Sequence, residues 1–307
     1  MRAEAGADDE EGRRGGCDAL WQGGQRCAGN RQSGWVRSLN RIRETFASLR
    51  GEGGLVAYVM GGDPDPSSSL EVIEAVLKGG ADILEIGIPF SDPIADGKSI
   101  QAAAVRALAS STRPVDVLEI ASQVRRRHSV PVVLMTYFNP VFASGIGGFL
   151  DAAKKAGVDG VIVPDLPLEE AHGFGKAARK RGIDSILLAA PTTGKARMRK
   201  IVASASGFLY LVSVLGVTGA RSGLSSETVA LVKSARRFTA GRIPLAVGFG
   251  LSRPEHVEAV IGAGADAAIV GSGIVELVGQ AGGDGSRSYG QIEEYVRSLK
   301  RATARRS

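Results

Sequence analysis

Between residues 55 and 270 the chain keeps repeating one alternation of apolar and polar positions. A short apolar run is followed by a glycine-bearing turn and a longer segment whose apolar residues recur every three or four positions. The short runs are Leu55–Met60, Ile83–Ile88, Pro131–Tyr137, Gly160–Val163, Ser185–Ala189, Phe208–Val214, Ile243–Val247 and Ala267–Val270. Their length and aliphatic content predict buried strands. The longer segments predict amphipathic helices over Ser67–Lys78, Ser99–Arg127 (long enough for more than one), Gly148–Lys155, Glu169–Arg181, Lys195–Ala203, Ser225–Arg237 and Pro254–Ala263, with a last one at Tyr289–Arg301. Helices repeatedly end in glycine, with an aspartate just before or at the next strand: Asp82, Asp159, Asp184 and Asp266. Glycine there suits a left-handed C-cap.

Eight strands alternating with helices predict a parallel sheet. A further helix precedes them, Ser38–Leu49, with Leu39, Ile42, Phe46 and Leu49 on one face. The repeat is too long and irregular for a solenoid. No GxGxxG follows the first strand, which speaks against an open dinucleotide-binding sheet. The expected fold is therefore α/β, a (β/α)8 TIM barrel with an extra N-terminal helix, spanning residues 36–303. Residues 1–35 have no periodicity and many glycines, and read as a disordered or non-core extension in which Trp21 and Trp35 are the groups able to dock.

Composition removes several function classes. In 307 residues the hydrophobic share is 44% and the charged share 23%, ordinary for a soluble protein. No apolar run approaches a membrane span. The acidic, glycine-rich start resembles neither a secretory nor a transit peptide, so a cytoplasmic location is expected. The net charge of +6 divides into +2 from residues 1–50 and +5 from residues 297–307, leaving the body near −1. That distribution leaves no basic face for nucleic acid. Cys17 and Cys27 lie outside the barrel pattern without metal-ligand spacing. His128, His172 and His256 fall in helices or their flanks and read as surface residues, so no metal site is expected.

Chemistry in such a barrel belongs at the C-terminal ends of the strands. There the sequence puts Asp63, Glu85, Asp96, Tyr137, Asn139, Asp165 and Tyr210, together with three glycine-bearing loops. Glu85 is the anomaly, a carboxylate inside an apolar strand, which is costly unless paired, neutralised or functional. With Asp96 it suggests acid–base catalysis by two carboxyl groups in different environments. Asp92, before Pro93, reads as a turn residue. Gly216-Val217-Thr218-Gly219, Gly248-Phe249-Gly250 and Gly271-Ser272-Gly273 end strands 6, 7 and 8, the last running into a short helix. Loops of this kind hold phosphate through backbone N–H groups. The residues alone describe a cofactor-free acid–base enzyme for a small phosphorylated molecule.

The motifs that carry this chemistry also resemble a known family. They are Leu84-Glu85-Ile-Gly-Ile-Pro-Phe-Ser-Asp-Pro-Ile-Ala-Asp96-Gly, Met135-Thr-Tyr-Phe-Asn139-Pro, Val163-Pro-Asp165-Leu-Pro, Gly216-Val-Thr-Gly219, Val247-Gly-Phe-Gly250, Val270-Gly-Ser-Gly273 and Ala57-Tyr-Val-Met-Gly-Gly-Asp63-Pro. In order over residues 41–300 they are similar to the tryptophan synthase α chains. The resemblance implies retro-aldol cleavage of indole-3-glycerol phosphate to indole and glyceraldehyde 3-phosphate. It also implies no cofactor in this chain and transfer of indole to a pyridoxal phosphate-bearing β chain, in an α2β2 heterotetramer. It makes Glu85 and Asp96 catalytic, places phosphate on Gly219, Gly248, Gly250, Gly271 and Ser272, and lines the indole pocket with Tyr58, Tyr137, Tyr210 and Phe249. Asp63 and Thr218 match segments for loop closure or partner contact. Lys98 and Met60 depart from residues common in the family, Pro and Thr. Two other readings are a free-standing lyase that releases indole and an allosteric activator of a β chain; the presence of both carboxylates speaks against the latter.

Overall fold

Eight parallel strands close into a barrel in chain order: β1 (Gly54–Met60), β2 (Ile83–Gly87), β3 (Val132–Met135), β4 (Gly160–Ile162), β5 (Asp184–Ala189), β6 (Leu209–Val212), β7 (Leu245–Gly248) and β8 (Ala267–Val270). The computed structural model describes residues 40–49, 51–213, 224–280 and 285–304. These residues all fall in one compact unit, Ser38–Ser307. The expectations for residues 1–35, including Cys17, Cys27, Trp21 and Trp35, lie outside the described residues.

Helix α1 (Arg41–Ser48) precedes the barrel. Around it run α2 (Pro66–Lys78), α3 (Lys98–Ala109), α4 (Pro114–Arg127), α5 (Phe138–Ala143), α6 (Ile146–Lys155), α7 (Leu168–Lys180), α8 (Lys195–Ser204), α9 (Ser226–Thr239), α10 (Pro254–Gly262), α11 (Ser272–Gln280) and α12 (Gly285–Arg301). The long segment 99–127 does divide: Ser111 turns with φ 57° and Pro114 starts the second helix. Helix α5 is absent from the sequence pattern. It is a short Phe-Asn-Pro-Val-Phe-Ala stretch, and its first N–H, on Phe138, is capped from another loop by the Asp165 carboxylate at 2.9 Å. A cap supplied from 27 residues away leaves no local signature.

Strand alternation sorts side chains into two layers. Leu55, Ala57, Val59, Leu84 and Ile86 pack outward under the helices. Val56, Ile83, Val133, Ile162, Ile186, Phe208, Tyr210, Ala246 and Ile269 fill the interior. Ile42 and Phe46 of α1 join that inner set, and the Ile42 methyl sits 3.1 Å from where a Cβ on Gly160 would be. Gly160 opens β4, so α1 plugs the N-terminal end of the barrel.

That end is also held by the aspartates noted before the strands. The Asp82, Asp159 and Asp266 carboxylates accept the N–H of Leu55 (2.7 Å), Val132 (2.9 Å) and Leu245 (2.7 Å), the first or second residue of the preceding strand. Each also meets a cation: Lys300 for Asp82, Arg236 for Asp266, and both Arg41 and Arg125 for Asp159. Asp159→Ala strands a part-buried guanidinium and a strand N–H together. We expect a loss of about 3 kcal/mol in chemical denaturation with the barrel chemistry intact. A change under ~0.5 kcal/mol would mean that these pairs are solvent-screened ornaments.

Two histidines depart from the surface reading. His256 is buried, and its Nδ1 accepts the Ser252 N–H at 3.3 Å. His128 is half-buried, with Nε2 3.0 Å from the Glu74 carboxylate. Among the described residues no helix is long and apolar enough to cross a membrane.

Candidate active site

The C-terminal mouth of the barrel holds a cavity of about 330 Å³ lined by Tyr58, Glu85, Asp96, Tyr210, Phe249, Gly250, Gly271 and Ser272. Three of these stand on strands whose pairing sets their height. Tyr58 on β1 pairs with Glu85 on β2, Glu85 pairs with Val133 on β3, and Tyr210 on β6 pairs with Ala246 on β7. Because residues alternate, Glu85 shares the inward face with Ile83 while Leu84 and Ile86 go outward. The same pleat that buries its neighbours under helices turns this acid into the barrel.

Glu85 is 1% exposed, and its Oε2 has no hydrogen-bond partner among the described residues. Burial first, and then the nearby Asp96 charge, push its carboxyl from the usual range up to about 8. Asp96 lies in the loop between β2 and α3, half-buried. Burial raises it to about 6, against the opposing pull of a hydrogen bond from the Tyr137 hydroxyl. The two acids are thus set apart in proton affinity, one holding its proton at neutral pH and one releasing it.

Tyr137 organises that loop. Its phenol oxygen accepts the Ala95 N–H at 3.0 Å beside Asp96, and its ring stacks on Phe90 with centroids 5.3 Å apart. Asp92 is exposed and accepts from the adjacent Ser91 hydroxyl, as a turn residue would. Lys98 is exposed at the start of α3.

Aromatic rings form the walls. Tyr210 and Phe249 meet edge to face, centroids 6.2 Å apart and planes at 77°. Phe249 and Gly250 both take positive φ, 76° and 75°. For a phenylalanine this is strained by ~1–3 kcal/mol. Ser213 braces it: its hydroxyl donates to the Phe249 carbonyl and its N–H to the Gly248 carbonyl at 2.7 Å. Ser213 itself, Gly97, Ile100, Met135 and Ile269 also line the cavity, the last three being apolar side chains. Sequence reading missed these three, on α3, β3 and β8, since an apolar residue in a helix or strand carries no chemical signal of its own.

The glycines of the strand 7 and 8 loops have a packing role as well. A Cβ on Gly248 would collide with the Tyr210 hydroxyl, and one on Gly271 would lie 2.9 Å from the Tyr58 ring. Helix α11 begins at Ser272 beside the cavity; the Ile274 and Val275 N–H groups turn back to the Gly271 carbonyl at 2.9 and 3.0 Å, and those of Ser272 and Gly273 precede any i−4 partner within the helix. Gly219 and Thr218 lie outside the described residues. Asp63 does not line the cavity; it is buried in a two-pronged ion pair with Arg106 of α3, both contacts at 2.7 Å, and Arg106 also donates to the Val275 carbonyl of α11 at 3.0 Å. Asp165 is spent on capping α5, and Asn139 is exposed. Among the described residues no three His, Cys, Asp or Glu side chains gather as a metal site would require.

Fold and site together define a (β/α)8 barrel with two carboxyl groups in an aromatic-walled cavity at its C-terminal mouth. The family model for the tryptophan synthase alpha chain matches residues 46–304. Among relatives, the tryptophan synthase alpha chain of Carboxydothermus hydrogenoformans is 46% identical over 78% of this chain and 90% of its own length. That of Methanoregula boonei is 45% identical over 86% and 98%. A solved Pyrococcus furiosus chain, described in a study of mutual activation of the tryptophan synthase α2β2 complex, superposes with a TM-score of 0.72 at 41% identity, covering 82% of this chain and 96% of that one. The chain belongs to the tryptophan synthase alpha chain family, which catalyses the indole-3-glycerol phosphate cleavage half-reaction.

Proposed function

We propose that this chain cleaves indole-3-glycerol phosphate to indole and glyceraldehyde 3-phosphate, with Glu85 and Asp96 as its catalytic residues. The observation that carries the reading is the pair of carboxyls in one aromatic-walled cavity, titrating near 8 and near 6. Breaking the bond between indole C3 and the glycerol side chain needs a proton on C3 and removal of one from the adjacent side-chain hydroxyl. Glu85, protonated at neutral pH, delivers the first and, once ionised, takes the second, so it ends as it began. Asp96, ionised, accepts the indole N–H, which becomes more acidic in the indolenine-like intermediate. Tyr58, Tyr137, Tyr210 and Phe249 hold the ring. The phosphate rests on Gly219, Gly248, Gly250, Gly271 and Ser272, where backbone N–H groups and the start of α11 favour an anion. Asp63 and Thr218 act in closing the loops.

This chemistry asks nothing of a cofactor in this chain. Indole then passes to a β chain whose pyridoxal phosphate joins it to serine, in an α2β2 assembly; the α2β2 complex named for the Pyrococcus furiosus relative supports that partner. The catalytic unit is the barrel of residues 36–303, working in the cytoplasm, with 1–35 as an extension outside it. The deciding experiment is indole release from indole-3-glycerol phosphate by the purified chain, alone and with a cognate β chain. Release that rises strongly with β supports the reading; absence of release in both arms overturns it, and full activity indifferent to β removes the partner.

The two proton affinities also fix a pH profile. Asp96 must be ionised and Glu85 protonated, so kcat/KM should rise through about pH 6 and fall through about pH 8. A profile flat from pH 5 to 9 would contradict both assignments.

A further inference from the structure

Two polar atoms in the cavity are poorly served. Glu85 Oε2 is buried and accepts no hydrogen bond among the described residues. The buried Tyr58 hydroxyl has the Met60 thioether as its hydrogen-bond acceptor, at 3.8 Å, and a thioether is a weak one. The two side chains are cross-strand partners, Tyr58 opposite Glu85, on the inward face of adjacent strands. The phenol oxygen occupies the space that a side chain on Gly87 would fill. Gly87 is the next inward position after Glu85, roughly 6.6 Å further along β2, a span that a glutamate side chain largely covers. Gly271 leaves room for the ring on its other edge.

The remaining neighbours of Glu85 narrow the choice of donor. Asp96 faces it from the β2–α3 loop, Tyr210 from β6 and Tyr58 from β1, while Tyr137 on the β3 side is engaged with Ala95 and Asp96. Among the described residues lining this cavity there is no lysine, arginine or histidine. Among the described residues an ionised Glu85 therefore has hydroxyl donors to turn to and no cation.

We propose that Tyr58 is a positioning residue for Glu85, its O–H swinging from the Met60 sulfur to the carboxylate oxygen laid bare when Glu85 gives up its proton. The inference rests on the retro-aldol reading. Tyr58 keeps its own proton throughout; the proton that reaches indole C3 comes from Glu85 and is replaced from the substrate hydroxyl.

Tyr58→Phe in the full chain tests it while keeping the ring and its packing. A lost hydrogen bond to a charged group should lower kcat about tenfold, with KM changed less than about twofold. Ionised Glu85 loses a donor, so the alkaline limb of the pH profile should move up by about one unit. Tyr210→Phe, the comparison, should leave that limb in place. Unchanged kcat with an unmoved alkaline limb overturns the inference. So does a shift confined to the acid limb, which reports Asp96, or one produced by Tyr210→Phe instead. If the wild-type chain releases no indole, the retro-aldol reading fails separately. The Glu85 carboxyl can then be titrated by ¹³C NMR in both proteins, where an identical titration rejects the Tyr58 contact and an upward shift in Tyr58→Phe supports it.

Discussion

Glu85→Gln is expected to stop indole release, lowering kcat by about a thousandfold or more, because the amide has no proton to give and cannot take one back. KM should change little, since the phosphate and ring contacts are untouched. The same change should stabilise the fold. A carboxyl that titrates near 8 inside the barrel and near its ordinary 4.5 in the unfolded chain binds its proton more tightly when folded. Between those values the unfolded state holds fewer protons, so stability falls as pH rises from about 4.5 to about 8, by up to ~1.4 kcal/mol for each unit of separation. Glutamine does not titrate. The melting temperature of Glu85→Gln should therefore pull ahead of the wild type progressively from pH 5 to pH 8. Near-normal turnover would remove Glu85 from the chemistry, and a melting difference independent of pH would deny its buried, protonated state. A stability gain bought at the cost of activity is what a strained catalytic position gives.

Asp96→Asn is the second large effect. Asparagine keeps the shape but loses the charge that steadies a developing positive indole nitrogen, and its amide can present a donor where an acceptor is wanted. We expect kcat/KM to fall by about two to three orders of magnitude. The loop should survive, because Tyr137 still accepts the Ala95 N–H and the Gln101 amide still donates to the backbone carbonyl of residue 96. Residual activity should lack the acid limb near pH 6, since the group that produced it is gone. A variant that retains that limb would assign it to another residue.

Arrangements that depend on local spacing were legible before any coordinates. The βα alternation, the extra N-terminal helix and the anomaly of Glu85 follow from periods of 2 and 3.6 residues and from the cost of one charge in an apolar run. Arrangements made between distant segments were not. Nothing in Phe138–Ala143 announces a helix capped by Asp165. Asp63 looked like a rim carboxylate, and it is committed to Arg106, 43 positions away. His256 looked like a surface residue, and packing buries it. Gly248 and Gly271 read as phosphate loops alone, yet each also clears space for a tyrosine from a neighbouring strand.

By itself, then, the sequence determined the class of fold, the two acids and the family resemblance, because each rests on residue order and short-range pattern. Only the closed barrel decided the site. Strand register sets Tyr58 opposite Glu85 and Tyr210 opposite Ala246, the Tyr210 hydroxyl reaches over Gly248, and the β2–α3 loop carries Asp96 in among them. Burial within that ring sets two similar carboxyls about two pH units apart, near 8 and near 6. Proton affinity is a property of surroundings, and these surroundings are assembled from strands far apart in the chain.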